Sequence, residues 1–276
     1  MSKGKCFITV ILFVLISNSL FAQSPKIFIT PVKNSDNSVN FRYTKEGIGS
    51  YIIDFDFTKL ENSEKTTIPK MNVTASSGFL FKLKPIDKNK IINFSYDYSV
   101  TQGFLNPVLD PAVTYVLPFK KGKKVTIYVS TRPDISPEKW KKYIVHSNLP
   151  DSIYSMRDGL VVAIKTIIRF DKDQVTKQAS LKEIVVEHPD GTFASYLGIE
   201  ENSIAVKIGQ SINSKSYMGV MDKINNGGYR FIFDIFYHEL DDKNYRGNLV
   251  TVNPSFITQK GVEKLESKKE YVVSYK

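Results

Sequence analysis

The strongest constraint on this chain is the rhythm of its apolar residues. They come in short runs that alternate with polar ones and are cut off by Gly, Pro, Asn and Asp, the signature of half-buried strands joined by turns. The clearest run is Asn93-Phe94-Ser95-Tyr96-Asp97-Tyr98, where an aromatic face opposes a polar one. Similar runs predict strands at Lys26–Ile29, Ser38–Thr44, Ser50–Phe57, Gly78–Leu83, Ile91–Ser99, Lys124–Ser130, Gly159–Ile168, Lys182–Glu187, Thr192–Leu197, Tyr229–Tyr237 and Tyr271–Tyr275. The 15 Tyr and 18 Phe fit the same class, since aromatic side chains pack well on a pleated surface. One short helix is expected. Ser136 caps it, Pro137 takes the first helical position, Glu138 meets the positive helix end, Trp140 and Ile144 share a face, and it ends near His146. The fold class is therefore mostly β.

At 276 residues the chain has room for one large or two small cores. No Pro/Gly-rich linker interrupts it. Asn106-Pro107 and Asp110-Pro111 break the strand pattern between Leu105 and Tyr115, which places an N-terminal β-sandwich-like domain at residues 23–110 and an antiparallel β domain at 111–276.

Residues 1–22 form a signal peptide. Lys3 and Lys5 precede an apolar run, Cys6–Ile16, that is too short to span a bilayer, and Ala22 supplies a small residue for cleavage. Cleavage there removes the single cysteine and leaves 36 basic against 28 acidic side chains, a net +8. The expected location is the periplasm or the cell exterior, with no integral membrane segment after cleavage. That location argues against nucleic acid as a partner despite the basic balance, and favours anionic envelope polymers.

Residue counts limit the chemistry. One Cys excludes a disulfide scaffold and Cys-rich metal sites, and three His leave few ligands for a histidine-based zinc site. The sequence carries no G-x-S-x-G elbow, no Walker loop and no dinucleotide fingerprint.

Three stretches in the C-terminal half carry a resemblance. They are Ile153-Tyr154-Ser155-Met156-Arg157-Asp158-Gly159-Leu160-Val161-Val162, the segment Ile184–Ile199 around His188-Pro189-Asp190-Gly191-Thr192, and Ile204–Ile212 followed by Tyr229–Ile235. In order and spacing they resemble the lysostaphin/LytM-type peptidoglycan metalloendopeptidases. Tyr115-Val116-Leu117-Pro118-Phe119 and Asn253-Pro254-Ser255-Phe256 also look like longer envelope relatives of that family, which carry a β domain ahead of the peptidase domain. The resemblance implies a zinc site built from an H-x(n)-D motif and an H-x-H motif, with a further histidine in a Y-x-H-L segment. In this chain the H-x-H positions fall on Arg230 and Ile232, the Y-x-H-L position on Gly198, and the Asp position near Ile144. All of the matched functional groups are missing.

Elementary chemistry agrees. Residues i and i+2 of a strand share a face, so one face of Tyr229–Tyr237 should carry Arg230, Ile232, Asp234 and Phe236, with Phe231, Phe233 and Ile235 in the core. A permanent guanidinium cation and a purely aliphatic isoleucine side chain cannot hold zinc. Arg230 with Asp234 is then a candidate ligand-binding pair, for an anionic group held by the guanidinium. The simpler alternative is a structural salt bridge.

The three histidines are weak metal candidates. His146 reads as a surface or helix-end residue. His188 sits where Pro189-Asp190-Gly191 announces a turn. His238 heads the acidic stretch Glu239-Leu240-Asp241-Asp242, which lacks the spacing and glycine of a calcium loop. The expectation is an exported cell-envelope protein with a degenerate LytM-type domain and no cofactor. It would bind peptidoglycan or another envelope protein, such as a cell-wall hydrolase that it regulates. The alternatives are an active metallopeptidase with an unorthodox metal site, and a non-catalytic β-rich structural or adhesion protein.

Overall fold

The computed structural model describes residues 26–131, 140–170, 177–224, 227–241 and 244–275. The expected signal peptide, Met1 to Ala22, lies outside them. Among the described residues no helix is long and apolar enough to cross a membrane. Nearly all regular structure is strand, as the alternation predicts.

The first six strands are β1 (Lys26–Lys33), β2 (Val39–Glu46), β3 (Tyr51–Glu61), β4 (Met71–Val73), β5 (Ser77–Leu83) and β6 (Asn93–Gln102). They form two three-stranded sheets, β1-β2-β5 and β4-β3-β6. Buried residues of both sheets make one aromatic cluster. Phe41 is its hub, stacked on Phe81 at 4.6 Å and edge-on to Phe55 at 5.6 Å. Such pairs add to the area each ring buries. Phe94 and Tyr96 of β6 are partly buried against this cluster, so the aromatic face of the clearest run turns toward the core, while Tyr98 at its end stays exposed.

The rest of the chain builds a second core. Strand β7 (Thr114–Val116) is followed by β8 (Lys124–Ser130), β9 (Lys142–Ser147), β10 (Ser152–Tyr154), β11 (Gly159–Phe170), β12 (Lys177–Glu187) and β13 (Phe193–Ile199). After a short 3-10 turn, Glu201–Ser203, come β14 (Ser211–Ile212), β15 (Tyr217–Val220), β16 (Tyr229–Asp241), β17 (Asn244–Thr251), β18 (Ser255–Thr258), β19 (Gly261–Lys264) and β20 (Lys269–Val272). Nine of these strands form one sheet in the order β14-β11-β12-β13-β16-β9-β8-β20, with β17 also on β16. The main core lies on one face of it, around Tyr143, Tyr196, Phe231, Phe233 and Ile235. Strands β7 and β18 pair in parallel, which brings Tyr115 beside Phe256 although many residues separate them in sequence.

The expected helix is corrected. Ser136 to Lys139 lie outside the described residues, but Lys142–Ser147 is strand β9. Its buried residues are Tyr143 and Val145, alternating with Lys142, Ile144 and His146. Period two wins over the Trp140/Ile144 spacing because Tyr143 and Val145 join the main core, a gain that one turn of helix on the surface cannot match.

The two cores touch through specific bonds. The Ser50 amide and hydroxyl both donate to Glu187, the former at 2.8 Å. The Gln102 side chain donates to the Val162 carbonyl. Residues 103–106 run beside β16, with the His238 amide donating to Phe104 and the Asn106 amide to His238. Phe104 packs against Val162, Ala163, Val185 and Phe193.

Candidate functional site

Strand β16 divides its side chains as alternation requires. Phe231, Phe233 and Ile235 enter the main core, and Arg230, Ile232, Asp234, Phe236 and His238 face the other side of the sheet. That second face is banded. One apolar band holds Ala163, Val185, Phe193 and Phe236. The other holds Leu181, Leu197 and Ile232, with Ile144 and Ile167 packed against them.

The positions to which the resemblance assigns zinc ligands fall in the second band. Ile232 lies directly opposite Ile144 across the β16–β9 ladder and opposite Leu197 across β13–β16. The aliphatic side chains fill the space among themselves, and none offers a lone pair. Gly198 is a stronger departure. Its φ is +97°, and a Cβ there would stand 2.5 Å from the Arg230 carbonyl oxygen. The backbone at this point admits no side chain, histidine included.

Between the bands a polar row crosses the sheet. Lys165 pairs with Glu183, and Ser195 pairs with Asp234. The Ser195 hydroxyl donates to Glu183 at 2.6 Å, and Lys142 Nζ lies 3.6 Å from Asp234. Strand register assembles this row from five strands, β11, β12, β13, β16 and β9, and only Asp234 stood out in the sequence. Asp234 is 2% exposed, and one of its carboxylate oxygens has no hydrogen-bond partner. Burial pushes its pKa up to about 6; Lys142 opposes the shift and the Glu183 carboxylate adds to it.

Arg230 and Asp234 make no direct ion pair with each other. The residues share a face, but four steps along a strand separate them by roughly 13 Å. The cation beside Asp234 is Lys142. Arg230 instead lies opposite His146 across the ladder.

The histidines are dispersed. His146 is exposed, with its ring edge-on to Tyr128 at 5.7 Å. His238 is buried on the same ladder strand but eight residues beyond Arg230, roughly 26 Å along it. Burial lowers its pKa. His188 directly follows β12, with its ring on the main-core side, edge-on to Tyr115 at 5.6 Å. Among the described residues no three His, Cys, Asp or Glu side chains come together to hold a metal ion. Asp242 lies outside the described residues.

The sequence reading of His188 as a turn residue matches its surroundings. Its amide donates to Thr192, the Gly191 amide donates back to His188, and Gly191 has a φ of +82°. His188 Nδ1 lies 2.7 Å from the Asp158 carbonyl and must donate to it, since a carbonyl only accepts. Nε2 is therefore a bare acceptor, and it is buried without a partner. Burial lowers the His188 pKa to about 4, which keeps the ring neutral. Around it Arg157 pairs with Asp190 at 2.5 Å and donates to the Tyr115 hydroxyl at 3.3 Å. This cluster was not visible as a unit in the sequence, because Tyr115, Arg157 and His188 come from three separate segments.

No family of known proteins matches this sequence, and no curated protein does. Among solved structures, the crystal structure of a zinc-containing peptidase from Vibrio cholerae is similar, at 12% identity over 81% of this chain and 77% of its own, with a TM-score of 0.26. So loose a likeness fixes no residue of this chain in a role.

Proposed function

We propose that this protein is an exported, non-catalytic relative of the lysostaphin/LytM-type endopeptidases. It binds peptidoglycan, or a hydrolase acting on it, through the second face of its large sheet. One observation carries the reading. The positions that the resemblance assigns to zinc ligands, Ile144 and Ile232, face each other inside an aliphatic cluster, and Gly198 has no space for a side chain. A zinc peptidase needs three protein ligands and an open position, and an aliphatic cluster provides neither. The charged row of Lys165, Glu183, Asp234 and Lys142 beside it offers hydrogen-bonding partners to a polar ligand. Residues 1–22, read as a signal peptide, supply the route to the envelope.

Two measurements test this. Protein purified in zinc-containing buffer should carry well under one equivalent of zinc by elemental analysis. It should co-sediment with purified sacculi, and Lys142→Glu combined with Lys165→Glu should weaken retention. Stoichiometric zinc together with release of soluble muropeptides would refute the proposal. Metal-free protein with no retention on sacculi would leave the structural or adhesion reading in its place.

A further inference from the structure

The turn between β7 and β8 carries Lys120-Lys121-Gly122-Lys123-Lys124, four lysines in five residues. Its backbone is fixed. The Lys123 amide donates to the Lys120 carbonyl, and Gly122 takes a φ of +83°. The Gly122 amide donates to the Val273 carbonyl, and the Val273 amide donates back to Lys123. The four lysines are not equivalent. Lys123 lies 2.8 Å from Asp151, and Lys124 lies 3.6 Å from Glu270. Lys120 and Lys121 are exposed, and among the described residues their side chains have no hydrogen bond or ion pair.

The turn between β9 and β10 stands against this one, and Asp151 ties the two together. One of its carboxylate oxygens takes Lys123 and the other takes the Ser147 hydroxyl at 2.7 Å, while the Ser147 oxygen accepts from the Leu149 amide. A cleft of about 310 Å³ between the turns has Lys120 and Lys121 on one side and Pro150 on the other. The brace sets Leu149, 67% exposed, next to the two unpaired cations. The surface continues past Phe119. Tyr275 donates to the Phe119 carbonyl and carries Lys215 over its ring at 5.0 Å. Tyr154, whose amide donates to the Pro118 carbonyl, meets the exposed Tyr217 edge-on at 5.8 Å.

A single exposed leucine needs no explanation, but a leucine tip held beside unpaired lysines and an exposed tyrosine is a combination. A dissolved anion answers the lysines and leaves Leu149 in water. An apolar groove covers Leu149 and leaves the lysines uncompensated. A bilayer with anionic headgroups answers both. Its phosphates meet the ammonium groups, the leucine enters the boundary between headgroups and acyl chains, and tyrosine rings sit at headgroup level. Both features stand on protruding turns, which a flat fluid surface meets without a matching shape.

We infer that this end of the molecule is a peripheral docking site for an anionic phospholipid bilayer, with Lys120 and Lys121 as headgroup contacts and Leu149 as the inserted residue. The end of β9 at this site is five residues from Lys142, roughly 17 Å along the strand, so the site does not depend on the function proposed for the large sheet.

The test is co-sedimentation with sucrose-loaded vesicles. It uses the mature chain beginning at Gln23, so that the apolar run Cys6–Ile16 takes no part. One set of vesicles is phosphatidylcholine alone and the other contains about one-third phosphatidylglycerol, with purified sacculi in parallel. The expected result is binding to the anionic vesicles alone, weakened by salt. Each lysine near an anionic surface strengthens partitioning roughly fivefold, so Lys120→Gln with Lys121→Gln should weaken it roughly twentyfold. Leu149→Ser should weaken it roughly fivefold, the value of burying about half of that side chain. Both variants change exposed turn residues and should unfold at the wild-type temperature. Equal binding to the neutral vesicles, no binding to either set, or wild-type affinity in either variant would overturn the inference. Retention on sacculi that the double lysine variant loses, with no binding to vesicles, would assign these lysines to a wall polymer and overturn it as well.

Discussion

Replacing Asp234 with Asn should make this protein more stable at neutral pH, although it removes a charged group beside a lysine. Asp234 is 2% exposed, has one unpartnered oxygen, and meets Lys142 at 3.6 Å, beyond good hydrogen-bond range. Its pKa rises from 3.8 to about 6 on folding. A carboxyl whose folded pKa is raised binds its proton more tightly when folded. Stability from this group is therefore greatest below the unfolded value and falls as pH climbs through the window from about 4 to about 6. Two pH units correspond to about 3 kcal/mol, the upper bound on what the ionised group costs above that window. Asparagine keeps the shape and never ionises, and the solvent-facing Lys142 loses little. Urea unfolding of both proteins at several pH values checks this. The variant should gain roughly 1–3 kcal/mol at pH 7.5, and the gap should close toward pH 4.5. His188 titrates in the opposite direction over an overlapping range, but it is present in both proteins and cancels in the difference. A variant less stable at pH 7.5, or a gap unchanged between pH 4.5 and 7.5, would refute the reasoning.

Other outcomes follow from the same geometry. Gly198→Ala must place a Cβ against the Arg230 carbonyl at positive φ, and thermal unfolding should show a loss of roughly 2–4 kcal/mol. Ile232→His buries an imidazole among aliphatic side chains; it should lower stability by about 2–4 kcal/mol and recruit no zinc, and elemental analysis showing one bound zinc would contradict this. Phe41→Ala should cost about 3–5 kcal/mol in equilibrium unfolding, because the ring is fully buried at the hub of its cluster. Glu187→Gln weakens both bonds from Ser50; limited proteolysis should cut the connector near Val108 faster in the variant than in the wild type.

Period-two alternation was enough to place most long strands, because a strand with one buried face writes that face into its sequence. Lys124–Ser130 has the same limits in the sequence reading and in the structure. It was also enough to put Phe231, Phe233 and Ile235 in the core. Short strands such as β10 and β14 left no pattern, since two or three residues are too few to show a period. Strand β9 was misread because Trp140 and Ile144 fit a helical spacing, while Tyr143 and Val145 declare themselves only against the core they enter. Register was the other hidden variable. Nothing in the sequence sets Ser195 opposite Asp234 or Ile232 opposite Ile144, so the row and the aliphatic cluster could not be assembled beforehand. For the same reason Lys142, which comes from another strand, could not be named beforehand as the cation beside Asp234.

Strand β16 is held by β13, β9, β17 and the connector at residue 105, partners drawn from more than half the length of the chain. Its position in the middle of the sheet has a kinetic consequence. The bridge between Leu105 and His238 cannot close until most of the chain has been synthesised, and contacts of such high order slow folding. Until β16 arrives, β9 and β13 both present an open edge, and both apolar bands lack the residue that β16 contributes. A nascent or truncated chain ending near residue 225 is thus a strand-pairing template with no partner, prone to self-association. The folding of this protein is gated by its last quarter.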